Sequence, residues 1–310
     1  MSVSFNPARD IPDLSGKVIV VTGGNAGLGA ETIRELAKHN PKCIYLCART
    51  PSKAEAFISE IKTSTPSANI KPIHFDLASL QSAKTAANEI FSSTTRLDLL
   101  YLNAGVSAAA PDLTKEGYEW HMGVNHLAHA MFAQILMPLL QKTASTEPNS
   151  DVRIITVASE AAKVFAPKEG IIFPQLKTDM SSSTGIARYG QSKLANILFA
   201  KKLAQLYPDI KSIPIHPGLV NTENYSKGTG AGWFKLIWKP LLMFTGLTAE
   251  DGAKTQLWAG TAGEAKTGVF YIPVGKEDAG GKFGGDQGLI YELWRWTEGE
   301  LKANGGVGWP

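Results

Sequence analysis

Cysteine is scarce in this chain: Cys43 and Cys47 are the only two among 310 residues. Both fall in one predicted strand, Cys43 to Ala48, on the same face. Residues four apart along a strand lie roughly 13 Å apart, too far for a disulfide. Two buried reduced thiols are expected, which suits a reducing compartment and a cytoplasmic location. A surplus of charge is missing as well. The 31 basic residues nearly balance the 28 acidic ones and form no basic run, so nothing points to nucleic acid. No stretch of about 20 apolar residues occurs, so no transmembrane helix is expected. The start, Met-Ser-Val-Ser-Phe-Asn, lacks a charged segment followed by an apolar one, so no secretory signal is expected. No Pro/Gly/Ser-rich linker, repeat or low-complexity segment divides the chain. A chain of this length buries roughly 75% of its unfolded surface as one large domain. Residues 1–13, with Pro7 and Pro12 and no periodicity, read as an irregular arm. Residues 14–303 read as the domain, and residues 304–310 as a loose tail.

Lys17 to Thr22 (Lys-Val-Ile-Val-Val-Thr) is short, apolar and rich in β-branched residues, as a buried parallel strand is. Thr22-Gly23-Gly24-Asn25-Ala26-Gly27-Leu28-Gly29 follows at once. A helical pattern then begins, with Ile33, Leu36 and Ala37 apolar and Glu31, Arg34, Glu35 and Lys38 polar. Strand, glycine-rich turn and helix form the context for binding a dinucleotide. The glycines allow a tight turn and close backbone approach to a pyrophosphate. The free N–H groups near Leu28 and Gly29 then face the anion. The bland alternative is a strand-to-helix turn with no ligand.

Further along, Tyr189-Gly190-Gln191-Ser192-Lys193 lies in a predicted amphipathic helix, Ile186 to Tyr207. Residues at i and i+4 share a helix face, so the phenol and the ammonium can reach one site. A free tyrosine ionises near pH 10, and a lysine cation nearby lowers that value. The pair suits proton exchange with a carbonyl/alcohol couple.

Strands and helices alternate along the chain. Strands are expected from about Lys17, Cys43, Ile70, Leu97, Val152, Ser212 and Val269. Helices are expected from about Leu28, Ser52, Ser79, Thr114, Gly185 and Thr248, with a last one after Gln287. This alternation predicts an α/β fold, a doubly wound parallel sheet covered on both faces. Ligands of such sheets bind beyond the carboxyl ends of the strands. Gly23 to Gly29, Arg49, Asp76, Asn103, Ser159 and Thr222 all fall at those ends.

Thr22-Gly23-x-x-x-Gly27-x-Gly29 and Tyr189-x-x-x-Lys193 together resemble the short-chain dehydrogenase/reductase family. Asp76-Leu77, Asn103-Ala104-Gly105, Asn125, Ser159 and Pro217-Gly218-Leu219-Val220-Asn221-Thr222 continue the pattern in order, from about Leu14 to the last helix. The resemblance implies a Rossmann fold in one domain, with a small lid within residues 223–248. It implies that Gly23, Asn25, Gly27, Leu28 and Gly29 hold the cofactor's phosphates. Asp76 would bond the adenine amine, and Leu77 would contact the ring through its backbone. Asn103, Ala104 and Gly105 would line the adenosine side. Ser159 would orient the substrate carbonyl and Tyr189 would exchange the proton. Lys193 would hold the nicotinamide ribose and lower the tyrosine's pKa. Asn125 would bend its helix around a water that links Lys193 to bulk solvent. Pro217, Gly218, Val220 and Thr222 would form the loop that fixes the carboxamide. Many members carry a second Asn before Asn103, where this chain has Leu102.

After the second strand an acidic residue usually accepts hydrogen bonds from the ribose of NAD. Here Cys47-Ala48-Arg49-Thr50 offers none. The Arg49 guanidinium suits the 2′-phosphate of NADP, and Lys53 would add a second cation. The expected cofactor is therefore NADP(H), unless both side chains are plain surface charges.

Two departures from the family stand out. Ser159 and Tyr189 are 30 residues apart, whereas many members have about half that. The extra segment, Ala166 to Gly185, holds Pro167 and Pro174 and reads as a loop. It resembles the retinol-dehydrogenase-like branch, as does Ser192-Lys193-Leu194-Ala195-Asn196. Ser182 or Ser183 would be a rival to Ser159, but neither ends a strand. The second departure is Gly228 to Thr248, rich in large apolar side chains such as Trp233, Phe234, Trp238 and Phe244. It reads as a lid helix packed on the core, as an apolar wall for a bulky substrate, or as a peripheral membrane contact with Lys235 and Lys239 at the headgroups.

Several other residues invite bland readings. His121, His126 and His129 share a predicted helix but lack further ligands at metal-site spacing, so no metal is expected. His216 reads as strand-end packing, and Trp294 and Trp296 as core or subunit contact. Pro138 reads as a kink or helix end. The resemblance leaves a homodimer open, since the long helices from Thr114 and Gly185 often form dimer contacts in that family. The whole predicts an NADP(H)-dependent oxidoreductase acting on a hydrophobic ketone, aldehyde or alcohol. The rivals are a catalytically silent NADP-binding sensor or scaffold, and a reductase of an activated C=C bond.

Overall fold

The structure, a computed structural model, describes residues 3–146, 150–220 and 246–310. All seven expected strands form: β1 (Val18–Thr22), β2 (Cys43–Ala48), β3 (Ile70–His74), β4 (Leu99–Leu102), β5 (Arg153–Val157), β6 (Lys211–Ile215) and β7 (Phe270–Ile272). An eighth, β8 (Lys276–Asp278), was not foreseen. The sheet order is β3-β2-β1-β4-β5-β6-β7-β8, parallel except for the last pair. Three residues with exposed or half-buried side chains carry no periodicity; β8 exists because the chain turns back at Gly275, where φ is +68°.

Every residue of β1, β2, β4 and β5 is buried, as a sheet covered on both faces requires. Alternate side chains enter opposite cores. Val20, Cys47, Leu100 and Ile154 face α4 (Leu80–Ser93) and α6 (Ala128–Thr146). Val21, Leu46, Tyr101 and Ile155 face α2 (Gly27–Leu36), α3 (Pro51–Ser64) and α9 (Ala249–Thr261). Cys43 and Cys47 are buried free thiols on one face. A third core joins α8 (Gly185–Leu206) to α10 (Gln287–Ala303).

The order reverses between β1 and β4, and the site gathers at the carboxyl ends of the strands there. No helix among the described residues is long and apolar enough to cross a membrane. The segment of 223–248 expected to be a lid lies outside the described residues as far as 245, as does Thr222.

Four local expectations change. The helix expected from Thr114 starts at α5 (Trp120–Met122), because Gly117 at φ +82° closes a turn first and Glu119 caps the Met122 amide. Pro138 ends nothing: α6 continues to Thr146. The arm contains a short helix, α1 (Pro7–Asp10), capped by Asn6, and Ile11 is buried. The tail is packed rather than loose: Trp309 lies against Phe199, Tyr207 and Trp294, and the Tyr207 hydroxyl donates to the Pro310 carbonyl at 3.2 Å. Sequence pattern also gave no sign of α7 (Ala161–Val164), a single turn directly after Ser159.

Candidate active site

The glycine turn is built by crowding. The Gly23 and Gly24 amides both bond the Cys47 carbonyl, at 2.8 and 3.3 Å, which anchors the turn to β2. Gly23 and Gly27 take φ of +67° and +53°, a region that favours glycine. A Cβ on Gly29 would lie 2.3 Å from the Gly23 carbonyl oxygen and 2.6 Å from Asn103 Nδ2. Helix α2 then starts without a side-chain cap, since its N-cap residue is Ala26. By contrast Ser79, Thr184, Thr248 and Asp286 each cap the helix they precede. The first amides of α2 therefore stay available at the positive end of the helix dipole. Asn103 donates from Nδ2 to the Thr22 carbonyl at 2.8 Å, while its buried Oδ1 has no partner among the described residues. An uncapped helix start, a turn too tight for side chains and an unanswered acceptor fit the phosphates and ribose of a dinucleotide.

Around this turn the other cofactor candidates gather. Ala104 touches Gly23. Asp76 follows β3, with Oδ1 accepting from the Ala78 amide at 3.1 Å and Lys115 at 3.7 Å from Oδ2. Leu77 is partly buried against the core. Arg49 and Lys53 are exposed at the end of β2 and in the first turn of α3. Pro217 is buried beyond β6, and Gly218 takes φ +95°. Val220 pairs with Leu247, and Gly252 packs α9 closely against both Val220 and Leu28.

The catalytic candidates converge on the next strands. Asn125 lies in a π-helical turn, Gly123–Leu127, between α5 and α6. Its Oδ1 accepts from the Val106 amide at 2.8 Å, and its Nδ2 donates to Ser192 Oγ at 2.9 Å. Ser192 Oγ donates in turn to the Tyr189 carbonyl at 2.8 Å. Lys193 Nζ donates to the Val157 carbonyl at 2.9 Å and sits 5.8 Å from the centre of the Tyr189 ring. Burial pushes the Lys193 ammonium down to about 8, so at neutral pH it is still a cation. Ser159 is buried just past β5, with Oγ accepting from the Ala161 amide at 3.2 Å. A Cβ on Gly105 would come 2.8 Å from Asn125 Oδ1 and 3.4 Å from Lys193 Nζ, so a side chain here would crowd Asn125 where the loop passes the lysine.

Sequence reasoning missed His129 as a link. Its Nδ1 lies 3.1 Å from the Asn125 carbonyl and its Nε2 3.0 Å from Thr22 Oγ1. That hydroxyl also receives the Asn103 and Ala104 amides, at 2.9 and 3.0 Å. A carbonyl can only accept, so Nδ1 carries the proton, and in the neutral ring Nε2 accepts from the Thr22 hydroxyl, which also lies 3.3 Å from the Tyr101 carbonyl. Burial holds the ring down to about 4, so it stays neutral. A fixed chain thus runs from the glycine turn through His129 and Asn125 to the Tyr189 helix. Only the i, i+4 spacing of Asn125 and His129 hinted at it. His126 bonds Thr297 at 2.8 Å, and His216 lies at a strand end 3.4 Å from Glu160.

A doubly wound sheet with an open glycine turn at its switch point, and a tyrosine–lysine pair beside it, is the architecture of a nucleotide-dependent oxidoreductase. The chain belongs to the short-chain dehydrogenase family, whose profile it matches over residues 17–171. It is 36% identical to the short-chain dehydrogenase/reductase drtF of Aspergillus calidoustus, with 94% of this chain and 96% of the relative aligned. Among solved structures it resembles an uncharacterised protein from Mycobacterium paratuberculosis at a TM-score of 0.75, with 24% identity, 97% of this chain and 98% of the other covered. An NADPH-bound carbonyl reductase from chicken fatty liver shares the fold at a TM-score of 0.66, with 19% identity and 88% and 97% coverage.

Proposed function

We propose that the protein is an NADP(H)-dependent oxidoreductase that interconverts a ketone or aldehyde and an alcohol on a bulky hydrophobic substrate. The observation that carries this is the Tyr189–Lys193 pair, 5.8 Å from ring centre to ammonium, locked to Asn125 through Ser192. When bound, the nicotinamide supplies or accepts the hydride. Everything else falls to the chain. Tyr189 gives its hydroxyl proton to the substrate oxygen in reduction and takes it back in oxidation. The Lys193 cation favours the phenolate and so eases that exchange. Ser159 Oγ donates to the substrate oxygen, and this donor is worth most where charge develops in the transition state. Asn125 holds the loop at Val106 in place. Asp76 recognises the adenine amine, and Arg49 with Lys53 takes the 2′-phosphate in place of the missing acid after β2. The carbonyl reductase relative in fold binds NADPH, which supports the same choice here.

The loop from Val106 to Ala110 holds only small uncharged side chains, which suits an apolar substrate. Two buried, unpaired thiols support a cytoplasmic location. A homodimer through α8 is disfavoured, because α8 is buried almost continuously from Arg188 to Ala200 and α10 packs on it.

Tyr189→Phe tests the reading. NADPH should still bind, seen by its fluorescence, while ketone-dependent NADPH oxidation falls at least a thousandfold. Undiminished turnover rejects the assignment. Wild-type binding of NADPH without turnover of any ketone, aldehyde or enone identifies a sensor instead.

A further inference from the structure

We propose that Arg188, Glu119 and His121 form one buried relay that sets the position of the Ser107–Ala109 loop against Tyr189, making them positioning residues for the carbonyl site. The inference rests on Tyr189 being the proton donor.

All three side chains are buried: Glu119 and His121 are 0% exposed and Arg188 is 1% exposed. A guanidinium, a carboxylate and an imidazole so far from water need a reason, because removing charges from solvent is costly unless they are paired. Arg188 directly precedes Tyr189. Its Nη2 donates to the Ala109 carbonyl at 2.8 Å, and its Nη1 donates to the Met180 carbonyl at 3.1 Å and to the Ser183 carbonyl. Its Nε faces Glu119 Oε1 at 3.4 Å, an ion pair longer than a hydrogen bond. The same Glu119 oxygen lies 2.8 Å from His121 Nδ1, and Oε2 accepts from the Met122 amide at 2.8 Å. A carboxylate can only accept, so Nδ1 carries the proton. His121 Nε2 lies 3.1 Å from the Ala109 amide and 3.0 Å from the Ser107 carbonyl. Nε2 thus sits between a donor, the Ala109 N–H, and an acceptor, the Ser107 carbonyl, and ties the ring to the loop at that point.

Ala109 is therefore held at both ends of its backbone, its N–H by His121 and its C=O by Arg188. The loop that carries it leaves Gly105, which crosses Lys193, and reaches the residue next to Tyr189. The His121 ring closes the circuit by packing edge-on against the Tyr189 ring, with centres 6.3 Å apart. Arg188 also joins that loop to the segment before α8, so one residue fixes two walls relative to the phenol. None of this touches the cofactor turn. The relay predicts an effect on how the carbonyl is presented, with cofactor affinity left alone. A misplacement of about 1 Å costs up to 10²-fold in rate.

Four full-length variants test it: His121→Phe, which keeps the ring contact but loses both nitrogens; His121→Gln, which restores a polar group toward Ala109; Arg188→Lys, which keeps the charge but cannot bridge three carbonyls; and Tyr189→Phe as control. The readouts are NADPH affinity by fluorescence, kcat and KM with acetophenone and benzil, and amide hydrogen exchange of the segment 105–112. His121→Phe and Arg188→Lys should lower kcat at least tenfold with NADPH affinity within twofold. Exchange at Ala109 should accelerate at least tenfold while β4 stays protected, and His121→Gln should recover part of both. Unchanged loop exchange in His121→Phe overturns the relay, whatever the activity. So does a loss of NADPH affinity and of β4 protection in step with kcat, which would mark general damage. Full turnover in Tyr189→Phe would instead overturn the underlying reading, and leaves the exchange result to judge the relay.

Discussion

Lys193→Met should make the protein more stable while it abolishes turnover. The Lys193 ammonium is buried with a carbonyl, and among the described residues no carboxylate, as its bonded partner. Burial lowers its pKa to about 8 from an ordinary 10.5. The unfolded chain therefore binds the proton more tightly than the folded one. The cost is present in full below pH 8 and fades as pH rises from 8 toward 10.5. That gap corresponds to about 3 kcal/mol. Methionine fills a similar volume without charge. It gives up the bond to the Val157 carbonyl, worth about 1 kcal/mol, but that oxygen keeps the Asn196 amide at 3.1 Å. The net gain at pH 7 is then about 2 kcal/mol. With an unfolding entropy of about 2.1 cal/mol/K per residue, each kcal/mol moves Tm by about 1.5 °C in a chain of this size. Cofactor-free Lys193→Met should melt about 3 °C above wild type at pH 7 and within about 1 °C of it at pH 9.5. The assay is thermal unfolding of both proteins across that range, alongside NADPH-dependent ketone reduction. A variant that melts lower at pH 7, or a difference that stays flat with pH, refutes the buried-cation argument.

Three further outcomes are expected. Gly29→Ala puts a methyl group into the Gly23 carbonyl and Asn103; NADPH affinity should fall at least tenfold, measured by fluorescence titration, with far-UV circular dichroism unchanged. Arg49→Ala should raise KM for NADPH about tenfold and leave KM for NADH within twofold; equal effects on both would place Arg49 outside the 2′-phosphate site. Trp309→Ala removes a ring stacked among Phe199, Tyr207 and Trp294, costing about 2 kcal/mol and lowering Tm by about 3 °C. An unchanged Tm would return residues 304–310 to the status of a loose tail.

The parts readable in advance are those whose signal is local. Seven strands announced themselves as apolar runs, and the turn from Gly23 to Gly29 and the Tyr189–Lys193 spacing each fit within eight residues. The parts that escaped depend on long separations. His129 matters because its partner Thr22 lies 107 residues away in the chain. Arg188 matters because Ala109, 79 residues upstream, turns its carbonyl toward it. Trp309 follows several glycines and looked unpartnered, yet its neighbours sit on α8 and α10. The start of α5 was misjudged for a different reason: a positive φ at Gly117 closes a turn and Glu119 caps the helix only at Met122. No pattern of hydrophobicity encodes which of two compatible backbone states a glycine takes.

Two features of the site share one logic. Helix α2 forgoes the side-chain cap that α4, α8, α9 and α10 receive, a loss of roughly 1 kcal/mol. Lys193 keeps a buried charge at a cost of about 3 kcal/mol. The fold tolerates both because its sheet is buried on two faces and closed by a packed tail. On the proposed function each concession would serve a specific occupant: free amides for a phosphate, a cation for a phenolate and a ribose. If the argument is right, the same two positions should respond together to NADPH. Saturating cofactor should raise the Tm of wild type more than that of Lys193→Met, because the variant has already shed the strain that the ligand relieves. Equal shifts would mean that the lysine's burial has nothing to do with the nucleotide.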